Sequence, residues 1–208
     1  MSRRNNYQQQ QQDRPRPNYF LGLQITSPEI SNSLIVAQKE FTTRGPGITR
    51  SLITPSKFHL TVFVMNLPTQ DDLDKVKGLL PKIKEIRSTI YDTTPIVNVC
   101  GIGSFYDRVI WAGLKQDENR IKLDRFVKDV TTLFQQNGVD LEDRWSPHIT
   151  LAKGKTSDDF VKAITYCNSQ YHDKEFGIQT FKSLDLLKIG STDPITKYYS
   201  TLDTLSLE

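Results

Sequence analysis

Phe58-His59-Leu60-Thr61-Val62-Phe63-Val64-Met65 and Pro147-His148-Ile149-Thr150-Leu151-Ala152-Lys153 decide how this chain is read. Each run is β-branched and aliphatic, and each carries one His-x-Thr phrase. Side chains on a strand alternate between its faces. His59 and Thr61 therefore share one face, with Leu60 and Val62 opposite. His148 and Thr150 share a face in the same way, with Ile149 and Leu151 opposite. Each strand thus offers an imidazole and a hydroxyl on a polar face and an aliphatic pair beneath. A small protein has little structural reason to do this twice, so the two strands are expected to face each other across a cleft.

Working outward, the same parity places Lys57 beside His59, and it places Phe63 on the histidine face, where it either lines the cleft or belongs to the core. Lys153 falls on the face opposite His148, but Gly154 follows, and a strand end can turn it inward. Ahead of the first phrase, Tyr19 to Ile25 reads as a strand. Pro28 opens a helix capped by Ser27 that runs to Gly45-Pro46-Gly47. After it, Thr69 caps a helix whose inner stripe is Leu73, Val76, Leu80 and Ile83, and Pro81 should kink or break it near Gly78. Two β-rich runs, Thr94 to Phe105 and Arg108 to Leu114, flank Tyr106-Asp107 as a hairpin, with Gly101 marking a bulge or a close approach. Glu118 to Gln136 is the clearest helix, stopped by Asn137-Gly138. A further helix begins near Ser157. Two last β-rich runs cover about Phe176 to Ile189 and Tyr198 to Leu207. Seven or eight strands and four helices in this order imply an α+β fold with mainly antiparallel sheets.

The 208 residues suit one domain, and a 37% hydrophobic share is enough for a core. The expected division is 1–17 as a disordered glutamine-rich tail and 18–208 as the domain. A net charge of +3 argues against an obligate duplex-DNA coat. Cys100 and Cys167 form no spaced motif and read as free thiols of a reducing compartment. There is no apolar leader and no membrane-length run, so cytoplasm, nucleus or both is the expected location. No HExxH, CxxC or close His/Asp cluster is present, so neither metal nor cofactor is expected.

Two imidazoles across a cleft suit a reaction that needs one base and one acid. Two threonine hydroxyls can donate to the non-bridging oxygens of a phosphate as charge develops there. Taken alone, either histidine is an ordinary strand residue; the repetition at the same parity makes the functional reading the better one. His172 lacks such a companion and reads as surface.

In this form the chain resembles the two-histidine (2H) phosphoesterases. Asn18-Tyr19-Phe20 with Gln24-Ile25, the first histidine run, Gly101-Ile102-Gly103-Ser104-Phe105 and the second histidine run resemble, in order, the phosphoesterase-like domain of A-kinase anchor proteins gamma and delta. A subunit of the activating signal cointegrator complex also carries that domain. The resemblance spans about Asn18 to Leu207. It implies two pseudo-symmetric lobes whose antiparallel sheets surround a central cleft with helices outside. It also implies nucleoside monophosphate binding and, in some members, metal-independent cleavage of 2′,5′-linked oligoadenylates. His59, Thr61, His148 and Thr150 carry over as the catalytic set. Lys153 matches a lysine that commonly follows the second motif. Trp145 stands where the family tends to have an aromatic, although core packing is the plainer role for it. Lys57, Phe63, Trp145 and Lys153 are the substrate-binding candidates. The chain ends in a strand-like run rather than an amphipathic helix, so kinase anchoring is not expected. The expected partner is a nucleotide or short RNA, and the expected state is a monomer. A nucleotide-binding regulatory module, an RNA 3′-end exonuclease and a cyclic phosphodiesterase are the alternatives.

Overall fold

The structure is a computed structural model that describes residues 15–208. The tail expected at the N-terminus lies outside the described residues up to position 14. Among the described residues there are nine strands and five α-helices. In chain order they are β1 (Tyr19–Gln24), α1 (Pro28–Arg44), β2 (His59–Met65), α2 (Gln70–Leu79), α3 (Ile83–Ile90), β3 (Ile96–Phe105) and β4 (Val109–Leu114). Then follow α4 (Glu118–Gln136), β5 (Leu141–Glu142), β6 (Ile149–Lys153), α5 (Asp158–Gln170), β7 (Glu175–Thr180), β8 (Ser183–Thr192) and β9 (Tyr199–Ser206). The strands form two sheets. One has the order β5-β2-β1-β8-β9 and the other β6-β4-β3-β7. All strand pairs are antiparallel. The α+β class and the two-sheet arrangement agree with expectation.

Local chemistry accounts for the element ends. Ser27 accepts from the Ile30 amide at the start of α1, and Pro28 occupies the first turn. At α2, Thr69 and Asp72 form a capping box, each side chain bonding the other's backbone amide. Pro81 breaks the following helix: a 3-10 turn, Leu80–Lys82, separates α2 from α3. The missing amide and the ring's clash with the preceding turn are the cause. That break makes five helices where four were expected. Tyr106 and Asp107, with left-handed φ of 50° and 51°, are the central residues of the β3–β4 turn, which the Arg108 amide closes by donating to the Phe105 carbonyl before Phe105 pairs with Val109.

The run expected over Phe176 to Ile189 is in fact two strands of different sheets. β7 pairs with β3 in the four-stranded sheet, and β8 pairs with β1 in the five-stranded sheet. Phe181 marks the crossing; it is buried, and its amide donates to the Pro95 carbonyl.

The helices cross between the halves. α1 follows a strand of the five-stranded sheet but packs against β7 and α5. α4 follows a strand of the four-stranded sheet, contacts β3 of that sheet and also packs against α2 and α3, where Phe134 meets Phe63 of β2 at 5.2 Å. α3 in turn is tied to the five-stranded sheet's end, where Arg87 Nε donates to the Leu207 carbonyl. One continuous apolar cluster therefore runs behind both sheets. Their other faces are left for the cleft.

Candidate active site

The two histidine strands occupy matching places. β2 lies beside β1 and β6 beside β4, and β2 and β6 approach each other where the sheets meet. His59 and Thr61 are half-buried, while Leu60 and Val62 are in the core. His148 and Thr150 are half-buried, while Ile149 and Leu151 are in the core. The alternation expected for both phrases is present.

Each imidazole is held in the same way. His59 Nδ1 bonds the Lys57 carbonyl at 2.8 Å, and His148 Nδ1 bonds the Ser146 carbonyl at 2.6 Å. A carbonyl only accepts, so Nδ1 carries the hydrogen in both rings and Nε2 is the nitrogen left for chemistry. Thr61 Oγ1 lies 3.1 Å from His59 Nε2 and donates to it when the ring is neutral. Aromatic rings wall both imidazoles. Phe20 and Tyr199 stand 5.1 and 5.2 Å from His59, and Phe105 and Trp111 stand 5.0 and 6.5 Å from His148.

Burial pushes the proton affinity of His59 below that of free imidazole; the Lys57 carbonyl opposes this, and the charge of His148 adds to the lowering. His148 is likewise lowered first by burial, against the Ser146 carbonyl, with the Lys153 ammonium adding to the effect. These couplings place the two imidazoles and Lys153 in one electrostatic neighbourhood.

Lys153 reaches that neighbourhood through a β-bulge. Trp111 pairs with Thr150 and Ile110 with Ala152, so Leu151 is an extra residue on β6. An extra residue reverses the parity beyond it. Ala152 turns into the core and the exposed Lys153 comes to the side of His148. β2 carries the same feature one residue after its own threonine: Gly22 pairs with Thr61 and Leu21 with Phe63, leaving Val62 extra. Here the consequence corrects the sequence reading. Phe63, expected on the histidine face, is buried in the core at 2% exposure and packs on Phe134. It leaves the substrate-binding set. Val64 takes the other face instead, packed against the cluster of Phe20, Leu187 and Tyr198.

The other candidates fall as follows. Lys57 orients His59 through its backbone, and its Nζ donates to Thr192 Oγ1 at 2.9 Å and sits 5.2 Å from the Tyr199 ring centre, on the rim. Trp145 donates its indole N–H to Asp124 at 2.6 Å and packs against the core. Asp124 also accepts from Arg120 Nε at 2.8 Å. His172 is exposed and pairs with Asp173. Residues not singled out from sequence are Phe20, Tyr199, Phe105 and Trp111. Their strands were legible, but their cleft side depends on bulges and on which strands become neighbours. Among the described residues no group of three or more His, Cys, Asp or Glu side chains is arranged to hold a metal ion, and no helix is long and apolar enough to cross a membrane.

Comparison with known proteins agrees with this geometry. Residues 17–207 match the family model described as the AKAP7 2′5′ RNA ligase-like domain. Human A-kinase anchor protein 7 isoform gamma is 27% identical over 143 residues, which cover 66% of this chain and 40% of that protein. Among solved structures, E. coli LigT complexed with 3′-AMP superposes with a TM-score of 0.61 at 15% identity, covering 91% of this chain and 97% of LigT. The MHV ns2 PDE domain gives a TM-score of 0.55 at 15% identity, covering 84% of this chain and all of that one. On the fold, the paired histidine strands and the family match, the chain belongs to the AKAP7 2′5′ RNA ligase-like family of the two-histidine phosphoesterases.

Proposed function

We propose that this protein is a phosphodiesterase that cleaves 2′,5′-linked oligoadenylates or related RNA ends without a metal ion, using His59 and His148 as acid and base. The carrying observation is the repeated anchoring of Nδ1 to a carbonyl two residues back, which presents Nε2 of both rings to one cleft. One neutral Nε2 takes the proton of the ribose hydroxyl beside the phosphate. That oxygen bonds to phosphorus while the bond to the leaving nucleoside oxygen breaks, and the other imidazolium gives that oxygen its proton. Thr61 and Thr150 donate to the non-bridging oxygens, and Lys153 adds a positive charge beside them. General acid–base catalysis of this kind contributes roughly 10²- to 10⁴-fold per group. Nucleotide complexes of LigT, with 3′-AMP, ATP and NADP+, support a nucleotide-sized ligand for the fold.

The test is turnover of 2′,5′- and 3′,5′-linked oligoadenylates, 2′,3′-cyclic nucleotides and 3′-uridylated RNA in EDTA. His59→Ala and His148→Ala are each expected to lose at least about 100-fold. Absence of turnover on the whole panel, or an active double variant, sinks the reading. A second reading, a regulatory module that binds AMP without turnover, draws on one observation. Both imidazoles are lowered, so neither is predisposed to be the acid in the unliganded cleft. AMP binding by calorimetry with no turnover on the panel would select it.

A further inference from the structure

The two sheets have four outer edges, and three of them are short or closed. β5 is two residues long. β6 is closed by the chain ahead of β2: Leu52 bridges to Ala152, and the Ile53 amide donates to the Leu151 carbonyl at 2.8 Å. β7 lies against α1, whose Ile30 comes within 3.3 Å of a Cβ added at Gly177. β9 ends the five-stranded sheet, and among the described residues β8 is the one element packed along it. An open strand edge is a row of backbone donors and acceptors ready to pair with another chain, and lysine, proline or a covering segment usually blunts it. β9, Tyr199–Ser206, has neither lysine nor proline in its eight residues.

Its protection is a bulge and one charge. Leu186 pairs with Asp203 and Leu187 with Thr201, so Leu202 is extra. From Asp203 to Ser206 the register is regular. The Leu207 amide donates inward, to the Lys182 carbonyl at 2.8 Å. In an antiparallel ladder both backbone groups of one residue point to the same side, and the sides alternate. Asp203 and Leu205 therefore bond to β8 in step with Leu207, and Thr204 and Ser206 turn their amides and carbonyls outward. Side chains mark this outer row. The Thr204 amide donates to Asp203 Oδ1 at 2.8 Å, and the Glu208 amide donates to Ser206 Oγ at 3.3 Å. Asp203 is the one charged residue of β9, and its carboxylate stands where a neighbouring strand's carbonyl would.

We propose that the outer edge of β9 is a docking site for an extended segment of a partner protein, which adds to the five-stranded sheet as a sixth strand. A carbonyl of the segment replaces the Asp203 carboxylate on the Thr204 amide. The released carboxylate then pairs with a lysine or arginine of the segment. Leu202, half-buried at the margin of the core, calls for an apolar neighbour. Main-chain hydrogen bonds supply affinity in this mode, and alternate side chains supply specificity. A second copy of this chain fits poorly. Full-length antiparallel pairing of β9 with its copy sets Leu202 opposite Asp203, so the two Asp203 carboxylates stand side by side at the axis, and like charges there are destabilising. The inference is independent of the reaction proposed above.

The probe is a displayed library of random dodecapeptides, selected on the full chain. Binders are expected to be rich in β-branched residues and to carry a lysine or arginine at one fixed position. Adding the tightest binder as a synthetic peptide should slow hydrogen exchange at the Thr204 and Ser206 amides, read by NMR, with Leu205 and Leu207 slow already. Thr204→Pro removes an outward N–H without breaking a bond to β8, and should weaken binding at least about 10-fold. Ser206→Pro decides if that variant fails to fold. Asp203→Asn should weaken the basic binders roughly 2- to 5-fold, and selection on Asp203→Lys should return acidic residues at the same position. A selection that yields no binders overturns the proposal, as do binders that leave both amides unprotected and tolerate both proline substitutions. Slow exchange of the Thr204 and Ser206 amides in the peptide-free monomer overturns it too, since the chain itself would then fill the edge. A concentration-dependent dimer abolished by Thr204→Pro would assign the edge to a second copy and overturn the partner segment.

Discussion

Lys153 and His148 form an unequal pair of neighbours: the first is exposed, the second half-buried and lowered. The ammonium contributes to keeping His148 neutral, behind the larger effect of burial. Lys153→Met should therefore raise the His148 titration midpoint, measured by NMR of the imidazole protons, and leave His59 largely unmoved. No change at His148 would remove Lys153 from its electrostatic neighbourhood. Both histidines also link to stability. Their proton affinity is lower in the folded chain than the ordinary value of 6.5. The unfolded chain then binds more protons in the window below 6.5, so stability is complete above it and falls as pH drops through it toward the lowered folded values. Urea midpoints between about pH 7.5 and pH 5 should fall for the wild type and fall less for His59→Asn. Equal slopes would refute this. At this scale the sequence was informative where parity alone decided. His59, Thr61, His148 and Thr150 lie where alternation puts them. Phe63 lies one residue and Lys153 two residues past a bulge, and both sit on the face opposite to the one that alternation assigns.

The bulges at Val62 and Leu151 are the devices that build the cleft's composition. Each lies one residue after the threonine, and each turns the rest of its strand over. Nothing in Val62 or Leu151 announces this, because a regular strand would bury the same aliphatic residues. The β3 bulge was legible, because it uses glycine. Gly101 takes φ of +76°, and an added Cβ would meet the His172 carbonyl at 2.6 Å. Gly101→Ala is therefore expected to cost about 1–3 kcal/mol, from the left-handed backbone and the clash together. Gly78, inside α2, has nothing within 4 Å of an added Cβ. Gly78→Ala should stabilise by about 0.4–1 kcal/mol. Urea denaturation of the two variants checks both signs, and a neutral Gly101→Ala would mean that the bulge relaxes. The break at Pro81 was legible for the same reason as Gly101, since proline states its backbone requirement in its own covalent structure. The crossing from β7 to β8 was not. Thr180-Phe181-Lys182-Ser183 contains neither proline nor glycine, and only the pairing of its flanks with different sheets reveals it.

Two lobes with similar strands invite the idea of two folding units, and the packing argues against it. α1 leaves the five-stranded sheet to cover β7 and pack on α5, and α4 bridges β3 of the four-stranded sheet to α2 and α3. Gln38 of α1 donates to the carbonyls of Ile53 and Leu151, so a buried amide of one half satisfies the bulged residue of the other. β8 and β9, the last strands of the five-stranded sheet, come after every strand of the four-stranded one. Separating the sheets would divide the large apolar cluster that runs behind both of them. Since a fully buried leucine or phenylalanine side chain contributes about 1.5–3 kcal/mol, neither half retains enough burial to offset its ordering entropy. The chain should therefore unfold as one unit. Far-ultraviolet circular dichroism reports both sheets, and the emission of Trp111 and Trp145 reports the cleft and the α4 side. In urea the two signals should give one coincident transition with the same midpoint and slope. A nucleotide seated between the halves should shift that whole transition, by about 2.7 kcal/mol at a concentration a hundred times its dissociation constant. Separate transitions, or a ligand that moves only one of the two signals, would show that the crossed helices do not bind the lobes into one cooperative structure.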